Sequence, residues 1–65
     1  MDGKELKGLI GKRIKLTILE NNQELFFTGS ITSVDADGFF SFTDKFGLTN
    51  FFRVSNVVSI REAEK

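Results

Sequence analysis

One stretch, L-F-F-T-G-S-I-T-S-V-D at residues 25–35, constrains the fold more than any other part of the chain. Apolar or small residues recur at every second position from Leu25 to Ile31, as a strand with one buried face requires, and Val34 follows three positions later. This shift of one residue predicts a β-bulge. Gly29 has no Cβ atom, so the backbone can bend there and another segment can approach closely. The sequence therefore predicts one long, sharply bent strand around which the other elements are arranged.

The composition limits both the size of the core and the available chemistry. The 65 residues form one predicted domain, residues 1–65, near the lower limit for a chain that folds alone. The sequence contains no cysteine and no histidine, so disulfides, thiolate chemistry and nearly all transition-metal sites are excluded. No serine, threonine or lysine is paired by spacing with a base, and the short D-A-D-G run predicts a turn rather than a calcium loop. We therefore expect no enzymatic activity, cofactor or bound metal, and oligomerisation remains as the means of stabilising so small a domain.

The net charge and the apolar stretches of the sequence limit which kinds of partner the protein can have. Nine basic and nine acidic residues cancel, which argues against a strongly electrostatic nucleic-acid coat and against a membrane surface as the main partner. The N-terminus lacks the apolar core of a signal peptide, and no stretch approaches the ~20 apolar residues of a spanning helix, so we expect a cytoplasmic protein. Eight phenylalanines are too many for so small a core. Some are predicted to lie on a surface that a partner covers.

The remaining elements follow from capping residues, alternation and turn residues. A short helix is predicted over residues 2–9, with Asp2 as cap, Glu5 completing a capping box and an apolar face shared by Leu6, Leu9 and Ile10. Strands are predicted over residues 14–18, 25–35, 39–43, 48–53 and 57–61, separated by turns at 35–38, 44–47 and 54–56 and by a polar hairpin loop at 20–24. Asparagine in this loop is expected to take positive φ. A helix followed by five short strands predicts an all-β fold, a strongly bent five-stranded antiparallel barrel.

Two surface features have more than one interpretation. Five of the nine cations lie in the first fifteen positions, and we interpret this basic patch as the solvated face of a helix and an edge strand: Lys4, Lys7, Lys12, Arg13 and Lys15. Phe51 and Phe52 are adjacent in a strand, so they must point to opposite faces. One is expected to fill the core, and burial between subunits is the preferred interpretation of the other.

The two halves of the predicted barrel resemble the two motifs of the Sm and Sm-like proteins. The first is F-x-G-x-I-x-x-V-D at residues 27–35, with Asp44 nine residues later, and the second is F-F-R-V-S-N-V-V-S-I at residues 51–60. The second motif departs from the family pattern at Val54, where glycine is expected. The resemblance spans almost the whole chain. It implies a homo-oligomeric ring, closed by pairing the fourth strand of one subunit with the fifth strand of the next.

The resemblance also implies a base-binding pocket, formed by the turn after the bent strand and the loop before the last strand. The family's aromatic or histidine platform falls at Asp37, its base-reading asparagine at Phe39 and its arginine at Arg53, so only Arg53 matches. Phe39 can stack on any base without reading its edge. Two interpretations of Arg53 stay open: contact with a base, or an ion pair with Asp35 or Asp37 that fixes the turn.

These observations predict a ring that binds single-stranded RNA or DNA weakly and with low sequence preference, at Asp37, Phe39 and Arg53. The alternative is a barrel that serves only protein interaction or assembly. The two differ in whether Arg53 and the basic patch face one common surface.

Overall fold

The computed structural model describes residues 3–63, which form one short helix, five strands and a 3-10 turn. Their bounds are α1 Gly3–Lys7, β1 Arg13–Glu20, β2 Gln23–Val34, β3 Phe39–Asp44, β4 Thr49–Arg53, the 3-10 turn Val54–Asn56 and β5 Val57–Glu62. The predicted Asp2 cap lies outside the described residues.

The five strands form one antiparallel sheet in the order β4-β3-β2-β1-β5. The predicted closed barrel is wrong for the single chain, because β4 and β5 are the two outer strands of this sheet and do not pair with each other. The reason lies in the turn between them. Val54 is buried in the core, and the turn sends the chain to the far side of the sheet, where β5 pairs with β1.

The hairpin between β1 and β2 is tighter than the predicted loop over residues 20–24. Glu20 pairs with Gln23, so only Asn21 and Asn22 form the turn, with φ angles of 51° and 64°. Two consecutive residues with positive φ are typical of the type I′ hairpin turn, which asparagine tolerates. The prediction that asparagine takes positive φ is confirmed, and both strands extend further than expected.

The predicted bulge and close approach in β2 are both confirmed. The register between β2 and β3 shifts between Ile31 and Ser33, where the alternation of apolar residues slips. At Gly29, an added Cβ atom would lie 2.7 Å from the Asp44 Cα and 2.9 Å from the Thr43 carbonyl carbon. Only a residue without a side chain lets the β3 backbone approach this closely.

The core lies against one face of the sheet, on which the buried side chains of the strands meet. Phe27 packs against Phe52 with ring centroids 5.2 Å apart, and Phe40 lies 5.9 Å from Phe52. Phe52 is 8% exposed and its neighbour Phe51 is 74% exposed, so the prediction that the two point to opposite faces is confirmed. The buried apolar residues are Leu6, Ile14, Leu16, Ile18, Ile31, Phe40, Phe42, Phe52 and Val54.

The helix is shorter than predicted and ends at Lys7 rather than at residue 9. Leu6 is fully buried, but Ile10, expected on the same helical face, is 42% exposed. Two glycines explain the early end: Gly8 follows directly, and Gly11 has a φ of 84° that no helix contains. Between residues 3 and 63, no helix has the length and apolar character needed to cross a membrane.

Candidate nucleic-acid interface

The turn between β2 and β3 fixes the position of the first predicted site residues. One carboxylate oxygen of Asp35 accepts hydrogen bonds from the backbone N–H groups of Asp37, at 2.9 Å, and Phe39, at 3.1 Å. Gly38 has a φ of 88°. Its carbonyl accepts a hydrogen bond of 2.8 Å from the Val54 N–H, which ties the turn to the end of β4. The hydrogen bonds from the turn's backbone to the Asp35 carboxylate therefore hold Phe39 at the start of β3.

The register between β3 and β4 brings Phe39 and Arg53 together. They are directly opposite each other, at the first position of β3 and the last of β4. The Arg53 guanidinium carbon lies 4.9 Å from the centre of the Phe39 ring. At an exposed site this cation–π contact contributes about 0.5–1 kcal/mol. We call this arrangement the Phe39–Arg53 pair.

The ion pair proposed as one interpretation of Arg53 does not form. Between residues 3 and 63, Arg53 makes no ion pair with Asp35 or Asp37, and its guanidinium contacts the Phe39 ring instead. The Asp35 carboxylate stabilises the turn by accepting hydrogen bonds from the backbone N–H groups of Asp37 and Phe39, without help from the arginine. Arg53 is thus not needed to fix the turn.

Asp37, the third predicted site residue, is exposed in the same turn, two positions before Phe39. It offers no ring for stacking, and its carboxylate adds negative charge beside the pair. The three predicted residues therefore lie in one region, but only Phe39 and Arg53 are in contact.

The chemistry of the pair follows from its geometry. The Arg53 guanidinium lies over the Phe39 ring, and Arg53 is itself exposed. A planar guanidinium can stack on a nucleobase, and its N–H groups can donate to a phosphate or to a base edge. Phe39 is half-buried, and its ring supports the guanidinium from one side. The pair thus presents a cationic stacking surface with no fixed acceptor and donor pattern to select one base.

Sequence reasoning treated Phe39 and Arg53 as two separate contacts for a base and missed that they stack on each other. Their separation of fourteen positions carries no local signal. A correct register for β3 and β4 would have revealed it, because opposite residues on one face of an antiparallel pair have neighbouring side chains.

Comparison with known proteins adds no relative: no protein-family model, curated protein or solved structure matches the chain. Among residues 3–63, no group of three or more acidic, cysteine or histidine side chains is placed to hold a metal ion.

Proposed function

We propose that the protein is an Sm-like, ring-forming homo-oligomer that binds single-stranded RNA or DNA weakly and with low sequence preference. The observation that carries this proposal is the Arg53 guanidinium held over the Phe39 ring, with its central carbon 4.9 Å from the ring centre. A pre-oriented planar cation stacks on a base at a lower entropic cost than a free arginine side chain.

The open edges of the sheet support assembly. β4 and β5 each pair on one side only, which leaves a row of backbone N–H and C=O groups on each outer strand. Phe51 on β4 is 74% exposed and Val58 on β5 is 51% exposed. Pairing β4 of one copy with β5 of the next satisfies both edges, covers apolar surface and continues around a closed ring.

A ring repeats the Phe39–Arg53 pair at regular spacing, so weak sites on one strand add through avidity. Affinity is expected to rise with oligonucleotide length. The zero formal charge of the chain and the nearby Asp37 leave few phosphate contacts at this pair, so each pair adds little to the salt dependence. The absence of enzymatic activity and the cytoplasmic location stay predictions from the sequence.

The test is fluorescence anisotropy with homopolymeric RNA and DNA of several lengths at low salt. We expect binding by the parent protein, no strong preference for uridine, and at least a fivefold loss of affinity in Arg53→Ala. Lys45→Ala is the matched control, because Lys45 also lies over a phenylalanine ring, that of Phe46, at 5.4 Å, but outside the β3–β4 register. The control is expected to bind like the parent.

The second candidate is an assembly module without a nucleic-acid partner. Its support is the exposed apolar surface around β4, where Phe46 is 77%, Leu48 64% and Phe51 74% exposed. If neither polymer binds at low salt, or if Arg53→Ala binds as tightly as the parent, this second function becomes the better account.

A further inference from the structure

The outer face of the sheet contains an unfavourable pairing of like charges. Ile14 and Leu16 of β1 are buried, so Lys15 between them points to the opposite, outer face. Arg61 of β5 is its direct partner, and therefore shares that face. Like charges directly opposite each other in an antiparallel pair destabilise the sheet. An anion bound between the two cations would remove this repulsion.

The two cations lie in a cleft of about 490 Å³, a volume within the usual range for small-ligand sites. The outer-face residues that line it come from β1, β2 and β5, and comprise the two cations, three hydroxyl side chains and one aromatic ring: Lys15, Arg61, Thr17, Thr28, Ser59 and Phe26. Phe26 is 74% exposed although it lies in the middle of the β1–β2 ladder. The cleft thus combines cations, hydroxyl groups and an uncovered ring.

The surrounding charges leave the cleft positive. Arg13 lies on the same face of β1, two positions before Lys15. Glu62 follows Arg61 but pairs with Ile14, so it points to the other face, where its carboxylate lies 3.9 Å from the Lys12 ammonium. Glu24 shares the outer face with Phe26, two positions nearer the hairpin end.

We propose that this cleft is a second contact site for single-stranded nucleic acid, in which a backbone phosphate lies between Lys15 and Arg61 and a base stacks on Phe26. A phosphate relieves the repulsion between the cations and accepts hydrogen bonds from the neighbouring hydroxyl groups. An acidic peptide would satisfy the cations but leave Phe26 without a partner, whereas a nucleotide supplies both an anion and a flat π surface. The partner class rests on the proposed function, but the residues are separate from the Phe39–Arg53 pair on β3 and β4.

The experiment measures anisotropy of a labelled hexanucleotide on three charge variants: Lys15→Gln/Arg61→Gln, the charge-matched Lys4→Gln/Lys7→Gln, and Arg53→Ala. Lys4 and Lys7 are exposed on α1 and do not line the cleft. We expect Lys15→Gln/Arg61→Gln to lose at least fivefold in affinity. The slope of log affinity against log salt concentration should become shallower by about 0.7, as the loss of one neutralised phosphate on a single strand implies. The helix double variant should lose less than twofold. Without ligand, the cleft variant should melt at or above the temperature of the parent, because a repulsive pair has been removed.

A fourth variant, Phe26→Leu, tests the stacking of a base on Phe26. It should weaken binding of the hexanucleotide at least threefold and leave binding of an abasic oligomer of the same length unchanged. Because Phe26 is exposed, the variant is expected to fold like the parent.

The outcomes separate this inference from the proposed function. Equal losses of affinity in the two double variants, or no loss in Lys15→Gln/Arg61→Gln, would overturn the cleft as a specific site. If Arg53→Ala then still loses affinity, the Phe39–Arg53 pair remains supported as the binding site. A loss of affinity confined to Lys15→Gln/Arg61→Gln would support the cleft as a binding site and overturn the Phe39–Arg53 pair as one. Polyglutamate binding as tightly as the hexanucleotide would overturn the nucleic-acid assignment, and no binding by the parent would overturn both proposals.

Discussion

Replacing Gly29 with alanine tests the close approach of the β3 backbone to β2. An added Cβ atom would lie 2.7 Å from the Asp44 Cα and 2.9 Å from the Thr43 carbonyl carbon, with the Thr43 carbonyl oxygen closer still. All three neighbours are backbone atoms, so no side chain can rotate away and β3 itself must move. The Gly29 backbone is not in the left-handed region, so the cost of alanine here is steric rather than conformational.

The magnitude follows from two opposing terms. Overpacking costs about 1–3 kcal/mol, and each ladder hydrogen bond lost as β3 shifts costs about 1 kcal/mol more. The reduced freedom of the unfolded chain returns about 0.4–1 kcal/mol. We expect Gly29→Ala to lower the free energy of unfolding by about 2–3 kcal/mol, out of about 3–10 kcal/mol for a domain of this size. The melting temperature should fall by about 10–20 °C, and Gly29→Val should fall further.

The assay is thermal unfolding followed by circular dichroism at one fixed protein concentration, because assembly makes stability depend on concentration. Gly8→Ala is the matched control: the nearest atom to an added Cβ there is the Glu5 carbonyl oxygen at 3.6 Å, an ordinary contact. It should melt within about 4 °C of the parent, as expected for a change below ~0.5 kcal/mol. If Gly29→Ala melts as high as Gly8→Ala, the close approach of β3 to Gly29 is refuted.

Two further predictions use adjacent residues of β4. Phe52→Ala should lower the free energy of unfolding by about 3–5 kcal/mol, because Phe52 is 8% exposed and contacts the rings of Phe27 and Phe40. Phe51→Ala changes a side chain that is 74% exposed, so it should not destabilise the isolated fold. Urea unfolding at low protein concentration compares the two variants, and equal losses would show that the two faces of β4 are misassigned. Light scattering should find a cyclic homo-oligomer in the parent and smaller species in Phe51→Lys; a stable folded monomer of the parent at micromolar concentration would contradict the proposed ring.

The residues of the candidate site could be predicted from the sequence, but their contacts could not. Phe39 and Arg53 were identified through the resemblance to Sm-like proteins, and the structure brings these two side chains into contact. Their stacking depends on the register of β3 against β4, and the pairing of Lys15 with Arg61 depends on β5 returning to β1. Both pairings join residues far apart in the chain, and no periodicity in the sequence specifies such a partner.

The sequence by itself determined the local features, because each has a local physical cause. The slip of alternation before Val34 places the bulge, Gly29 permits the close approach, and Asn21 with Asn22 accepts the positive φ of the hairpin turn. Closure of the sheet into a barrel, by contrast, has no local cause. Whether five strands join into a barrel depends on the curvature accumulated over the whole sheet and on where the last turn sends the chain. Only the tertiary structure decided that β4 and β5 stay apart, each with an unpaired edge.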